Sequence, residues 1–205
     1  MNVIDVFEEL KPTSPLIPLN LDNILNIVIH HPESSHCTWQ DINKWHKRQG
    51  WNCAGYNEYI RKSGTVYILR GDHIGAQCQG HNSSSYGICC EGNYEVETMM
   101  SDIQKQVLVE RIQYNKARFR NYKLTGPHSL FYPTDCPGKY FPMADILKKV
   151  EVVKVEENKS HWAQESLDYL KSKGIVINEI RFDDKITRAE ILVLLAQVVK
   201  ICKNT

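Results

Sequence analysis

The chain has 205 residues, 42% hydrophobic and 24% charged, with a formal net charge of +1. That length admits one domain with a small module beside it, and the near-zero charge excludes the basic footprint of nucleic-acid binding. No apolar run reaches the length of about 18 residues that spans a membrane, and the acidic start MNVIDVFEEL lacks the positive, then apolar, build of a signal peptide, so the protein is expected in the cytoplasm when made.

Residues 1–25 join a short apolar-periodic piece (Val3, Ile4, Val6, Phe7, Leu10) to the proline-rich KPTSPLIPLN, which predicts a short helix and then a wrapping extension. Asn26 to His30 is a nearly continuous apolar run closed by His31-Pro32, the pattern of a buried central strand. His30 therefore ends a strand, on rigid backbone facing a cleft. Thr38 and Asp41 have capping-box spacing and predict a helix to Gln49, stopped at Gly50. The segments 59–61 and 65–69 alternate about Lys62-Ser63-Gly64 and read as a hairpin. Gly71 to Ser85 reads as an exposed functional loop, and Tyr86 to Cys90 as a further strand. Ser101 and Gln104 form a second capping box, opening a helix to about Phe119 with Ile103, Val107, Leu108 and Ile112 on its apolar side.

The loop GPHSLFYPTDCPG, Gly126 to Gly138, follows. A charged connector, KKVEVVKVEENK, then leads to a tail with a helix from His161 to Lys173, a turn at Gly174, a short strand and a last helix capped at Thr187. The expected architecture is α+β: a mixed central sheet flanked by helices, with a small, mainly helical C-terminal module. The corresponding divisions are an extension at 1–25, a catalytic domain at 26–150, a linker at 151–159 and the module at 160–205.

Seven cysteines, an odd number without CxxC spacing, argue against a disulfide framework. Only Cys136 has a ligand-like setting: it lies eight residues after His128 in a loop stiffened by Pro127, Pro133 and Pro137. Imidazole and thiolate suit zinc, which needs a third protein ligand if one position is to stay open for water. Of the eight histidines, His30 is favoured because it alone ends a buried strand.

The segments IVIHHP, WHKRQGW, AGYNEYIRKSGTVY, GHNSSSYGICCEGN and GPH…TDCPG occur here in the order found in zinc-dependent N-acetylmuramoyl-L-alanine amidases. The chain resembles that family, which shares its fold with peptidoglycan recognition proteins, over Asn26 to Leu147. The resemblance implies hydrolysis of the amide between N-acetylmuramic acid and L-alanine by a zinc-activated water, as in a phage endolysin or autolysin. It places His30, His128 and Cys136 on the zinc ligands, Tyr56 on the catalytic tyrosine and Thr134 on a position occupied by lysine or threonine. A phenol of pKa about 10 is a poor base, so Tyr56 is expected to donate hydrogen bonds, and the base stays open. Relatives often carry a histidine where this chain has Gln77; Gln77, His81 and Asn82 are expected to line the substrate groove. His31 is expected on the opposite face of the strand, and His46 and Trp45 serve equally as packing or as substrate contacts.

The tail, with His161-Trp162-Ala163 and Ile186-Thr187-Arg188-Ala189-Glu190, resembles one S-layer homology motif. It implies attachment to a secondary cell-wall polymer, with Arg188 near the ligand. A lone copy has little core of its own, so it either packs on the amidase domain or pairs with its copy in a homodimer. The expected target is bacterial peptidoglycan and its muropeptides, reached after release by lysis or a holin. The alternatives are a non-catalytic peptidoglycan-binding protein and a cytosolic muropeptide-recycling amidase.

Overall fold

The computed structural model describes residues 2–156; the expected module at 160–205, Arg188 included, lies outside the described residues. Within them one mixed sheet is built from β1 (Val3–Asp5), β2 (Asn26–His30), β3 (Glu58–Ile60), β4 (Val66–Ile68), β5 (Ser85–Cys90) and β6 (Leu124–Pro127). The strand order is β1-β4-β3-β5-β2-β6, with β3 and β4 antiparallel and every other neighbouring pair parallel. The helices are α1 (Trp39–Arg48), α2 (Asp102–Arg118) and α3 (Met143–Glu156), and none of them is long and apolar enough to cross a membrane.

The expected mixed sheet with flanking helices is therefore the observed architecture. All five residues of β2 are buried, because parallel strands cover both its edges and helices cover both faces. The larger core lies on one face, where Ile27, Ile29, Tyr86 and Ile88 meet Val107, Leu108 and Ile112 of α2 and Ile146 and Val150 of α3. A smaller core on the other face joins Tyr59, Cys89 and Leu69 to Trp39 and Ile42 of α1. Burying each large aliphatic side chain contributes about 1.5–3 kcal/mol.

The capping box at Thr38 forms as expected. Thr38 Oγ1 accepts from the Asp41 amide at 3.2 Å, and Asp41 Oδ2 accepts from the Thr38 amide at 2.9 Å. The second box does not close. Ser101 caps α2 through the Gln104 amide at 3.2 Å, but the Gln104 side chain is fully buried and turned elsewhere. Its Nε2 donates to the carbonyls of Ile60 and Glu91, and its Oε1 accepts from Tyr94 Oη at 2.7 Å, tying α2 to the ends of β3 and β5. Ile103, expected on the apolar side, is exposed.

Two further expectations are corrected, and the start of the connector takes a definite form. The N-terminal piece is not a helix: Val3–Asp5 pairs in parallel with β4, covering an edge that a helix would leave unpaired. A one-turn 3-10 element then places Leu10 in the smaller core. The loop at 126–138 begins inside β6, so His128 follows directly from a strand. Residues 148–156, the first part of the expected connector, continue α3.

Between α2 and the sheet lies a buried ion pair. Arg111 Nη2 and Nε donate to the two carboxylate oxygens of Glu58 at 2.6 and 2.8 Å. Tyr86 Oη and Asn115 Nδ2 complete the shell around Glu58, satisfying a charge that would otherwise be very costly to bury.

Candidate metal centre

Side chains alternate along β2. Ile27 and Ile29 enter the larger core, so Val28 and His30 turn toward α1. His30 is in register with Cys89 of β5. On the other side of β2, β6 runs parallel as far as the pairing of Ile29 with Pro127, so the next residue, His128, emerges beside His30. The chain then makes a 3-10 turn over His128–Leu130 and is drawn back where the Ser129 amide donates to the Cys136 carbonyl at 2.9 Å. Gly138 fixes the far end. It has φ 100, and a Cβ there would lie 2.4 Å from the carbonyl carbon of Tyr94, an approach open only to glycine.

The result is a convergent set. One donor atom from each of His30, His128 and Cys136 lies within 4.8 Å of the others. Cys136 Sγ is 3.6 Å from His30 Nδ1, and the two imidazole centroids are 4.5 Å apart at 56°. His128 Nε2 is buried without a hydrogen-bond partner, a state that normally calls for an explanation such as an ion. Burial, reinforced by the nearby His128, pulls the pKa of His30 down to about 3. Burial also lowers that of His128 and pushes the Cys136 thiol up to about 12. Two neutral imidazoles and a thiol whose anion lacks a counter-charge make a centre that a divalent cation would complete. Two nitrogens and a sulfur suit zinc, so the residues present fit that ion.

The cavity around these atoms has a volume of about 280 Å³ and is also lined by Trp45, His46, Trp51, Tyr56, Thr134 and Glu33. His46 is buried and accepts a hydrogen bond from the Gly55 amide through Nδ1 at 2.9 Å, and burial followed by the charge of Arg70 lowers its pKa to about 4. Its ring packs against Trp51 and edge-on against Tyr56, which fixes the wall. Tyr56 lies 5.1 Å from His30, centroid to centroid. Burial, and then the neighbouring Cys89 thiol, raise its phenol well above the ordinary value, so it stays protonated. Thr134 Oγ1 accepts from the Cys136 amide at 3.3 Å, which leaves its own proton free. Glu33 is exposed at the rim and holds φ 52, unusual for a residue with a side chain.

Gln77 is among the residues lining this cavity, and its side-chain amide is engaged within the protein. Gln77 is buried, its Oε1 lies 2.6 Å from His30 Nε2, and its Nε2 donates to Ser85 Oγ at 2.8 Å. Asn82 is absorbed in the same way, its Oδ1 accepting from the amides of Gln77 and Cys78. His81 packs edge-on against Phe131 at 5.7 Å, next to the His128 turn. His31 faces away from the metal set, as expected: its Nδ1 accepts from the Tyr94 amide at 3.1 Å.

Three supporting residues carried no sequence signal that singled them out. Glu33 follows a proline and belongs to no periodic pattern. Asn57 and Arg70 are buried polar side chains whose partners are backbone carbonyls and amides of the surrounding loops. Arg70 Nε donates to the Ala54 carbonyl at 2.6 Å, which staples the segment that delivers Tyr56.

Residues 20–139 match the protein family described as N-acetylmuramoyl-L-alanine amidase. An endolysin of Klebsiella phage KP32 is 33% identical over 104 residues, which is 48% of this chain and 68% of that protein. The solved N-acetylmuramoyl-L-alanine amidase LysC from Clostridium intestinale URNW is similar with a TM-score of 0.66 and 30% identity, covering 74% of this chain and 98% of that one. Peptidoglycan recognition proteins LCa and LCx, solved as an ectodomain complex with tracheal cytotoxin, are similar with a TM-score of 0.62 and 25% identity over 73% of this chain and 96% of that one.

Proposed function

Because the chain belongs to the N-acetylmuramoyl-L-alanine amidase family, we propose that its cavity holds a zinc ion on His30, His128 and Cys136 and cleaves the lactyl–L-alanine amide of peptidoglycan. The protein is a peptidoglycan hydrolase of the endolysin type. The observation that carries the site assignment is the approach of three soft donor atoms to within 4.8 Å in one cavity.

A zinc ion bound there would supply a Lewis acid for the scissile carbonyl and would lower the pKa of a water towards about 7. The remaining work falls to the chain itself. Thr134, whose oxygen is occupied by the Cys136 amide, directs its hydroxyl proton to the carbonyl oxygen as negative charge develops there. Tyr56 contributes a second donor at the cavity wall; burial keeps its phenol protonated. Glu33 is the one carboxylate among the residues lining the cavity. It takes a proton from the attacking water on a carboxylate oxygen and returns it to the departing alanine nitrogen as the C–N bond breaks. His46 and Trp51 hold the wall that limits water on that side. His81, beside the metal-loop turn, stays a candidate contact for substrate, whereas Gln77 and Asn82 serve the site from behind.

The complete His–His–Cys set favours catalysis over recognition alone. Incubating the protein with zinc and a defined muropeptide should split it into a muramic acid with a free lactyl carboxyl and a peptide with a new L-alanine amino terminus, read by mass spectrometry. Chelation should stop the reaction and added zinc restore it. A muropeptide left intact by zinc-loaded protein would overturn the assignment.

The residues at 160–205, with Arg188, are assigned to secondary wall polymer or to pairing of two chains, which supports action at the wall after release. Met1–Val155 is a compact unit, so a chain ending there should still cleave muropeptide while sedimenting less with whole walls. Equal sedimentation and an unchanged number of chains per particle in solution would remove both roles from the tail.

A further inference from the structure

Gln77 sits in a cage. An added Cβ on Gly87 would come within 2.7 Å of its Cγ and Cδ, and one on Gly75 within 2.9 Å of its Cγ. Its own amide and the next are both held by Asn82 Oδ1 at 2.9 Å. Backbone and side chain are thus fixed on every side. This is more restraint than a groove-lining amide needs, and it ends at the His30 ring.

The polarity of the chain of hydrogen bonds can be worked out from its far end. Ser85 is fully buried, and its hydroxyl donates to the His81 carbonyl at 2.8 Å. With its single proton committed, Ser85 Oγ can only accept from Gln77, so the NH2 end of the amide must face it. The oxygen end then faces His30 Nε2 at 2.6 Å. A carbonyl oxygen accepts and never donates, so Nε2 must carry the imidazole proton. The reversed order would turn the Ser85 proton to the amide oxygen and the NH2 end to His30, making two hydrogen bonds in place of three. The observed order wins by one buried hydrogen bond.

We propose that Gln77, with its direction set by Ser85, is a positioning residue that holds His30 in the tautomer protonated on Nε2, so that Nδ1 presents a lone pair to His128 and Cys136. This rests on the reading of those three residues as metal ligands. The position of Nδ1, 3.6 Å from Cys136 Sγ, is the one it requires. A ligand histidine whose second nitrogen is so restrained needs no tautomer change or ring flip on binding, and partners of this kind commonly contribute tenfold to a hundredfold in metal affinity.

The test uses the full chain and zinc alone. In metal-free wild type, long-range proton–nitrogen NMR should show the His30 proton on Nε2; finding it on Nδ1 overturns the proposal without any variant. Q77M, similar in size but without an acceptor, should give mixed His30 tautomers and zinc binding weakened about tenfold in chelator competition. Q77E, which keeps an acceptor oxygen, should recover the Nε2–H tautomer and most of the zinc affinity. A Q77M protein that keeps the wild-type tautomer and binds zinc within twofold of wild type defeats the proposal. Muropeptide cleavage by wild type is read separately, so such a result would leave the amidase assignment standing.

Discussion

Cys136 Sγ lies 3.6 Å from Nδ1 of His30, although the two residues are 106 positions apart in the chain. The thiol is there in its protonated form, because burial pushes its pKa up to about 12, while the imidazoles of His30 and His128 are held neutral. Zinc uptake at pH 7 should therefore release about one proton from Cys136, none from a histidine, and a further fraction of a proton as the bound water ionises. Apparent affinity should rise at least about tenfold per pH unit between pH 7 and 9. Calorimetry in buffers of different ionisation enthalpy measures the released protons directly, and a value well below one would mean that Cys136 is not a ligand.

Glu33 offers a separate readout on proton transfer. E33Q should lower kcat about 100-fold with little change in KM, while zinc content stays at the wild-type level. E33D should recover part of the loss. An unchanged kcat in E33Q would return the proton-carrying step to water alone.

His46 should make stability depend on pH. Its folded-state pKa is about 4, against about 6.5 in an unfolded chain, so folding favours the neutral ring. That contribution is complete above pH 6.5, declines as pH falls, and is gone below pH 4. Between pH 7 and 4.5, wild type should lose about 2 kcal/mol more than H46Q. Urea unfolding of both proteins at the two pH values gives the difference; equal losses would show that folding leaves the His46 pKa unshifted.

The Glu58–Arg111 pair lies on the α2 face of the sheet, away from the cavity. R111M should cost about 3–5 kcal/mol, because it leaves the Glu58 carboxylate buried without its cation. The double variant E58L/R111M should recover a large part. Zinc affinity, measured well below the unfolding midpoint, should stay within a factor of two or so of wild type in both. Parallel losses of affinity and stability would instead link the pair to the site.

Much of this was legible from residue pattern. A continuous apolar run closed by His31-Pro32 marks β2 because a parallel strand buried on both faces has no polar side, and this located His30 at its end. The Thr38 box was legible because both its partners lie within four residues. Ser101 and Gln104 have the same spacing, yet Gln104 is drawn to Tyr94, Ile60 and Glu91, partners that no local pattern reveals. The role of Gln77 was hidden for the same reason, since its bond to His30 spans 47 positions. The N-terminal segment was misread because helical spacing competes there with the open edge of β4, and an unpaired edge outweighs weak periodicity in a piece so short. Glu33 belongs to neither kind of signal: its place at the cavity follows from a turn after Pro32, not from its neighbours in sequence.

The placement of β6 has a consequence for how this enzyme comes into being. Among the described residues it is the last strand in sequence and an edge strand, pairing only with β2, and the loop it launches carries two of the three donor atoms. A nascent or partly folded chain that has not yet docked β6 holds a lone His30 and no hydrolytic centre. On the proposed ligand set, metal capture would wait for closure of the sheet.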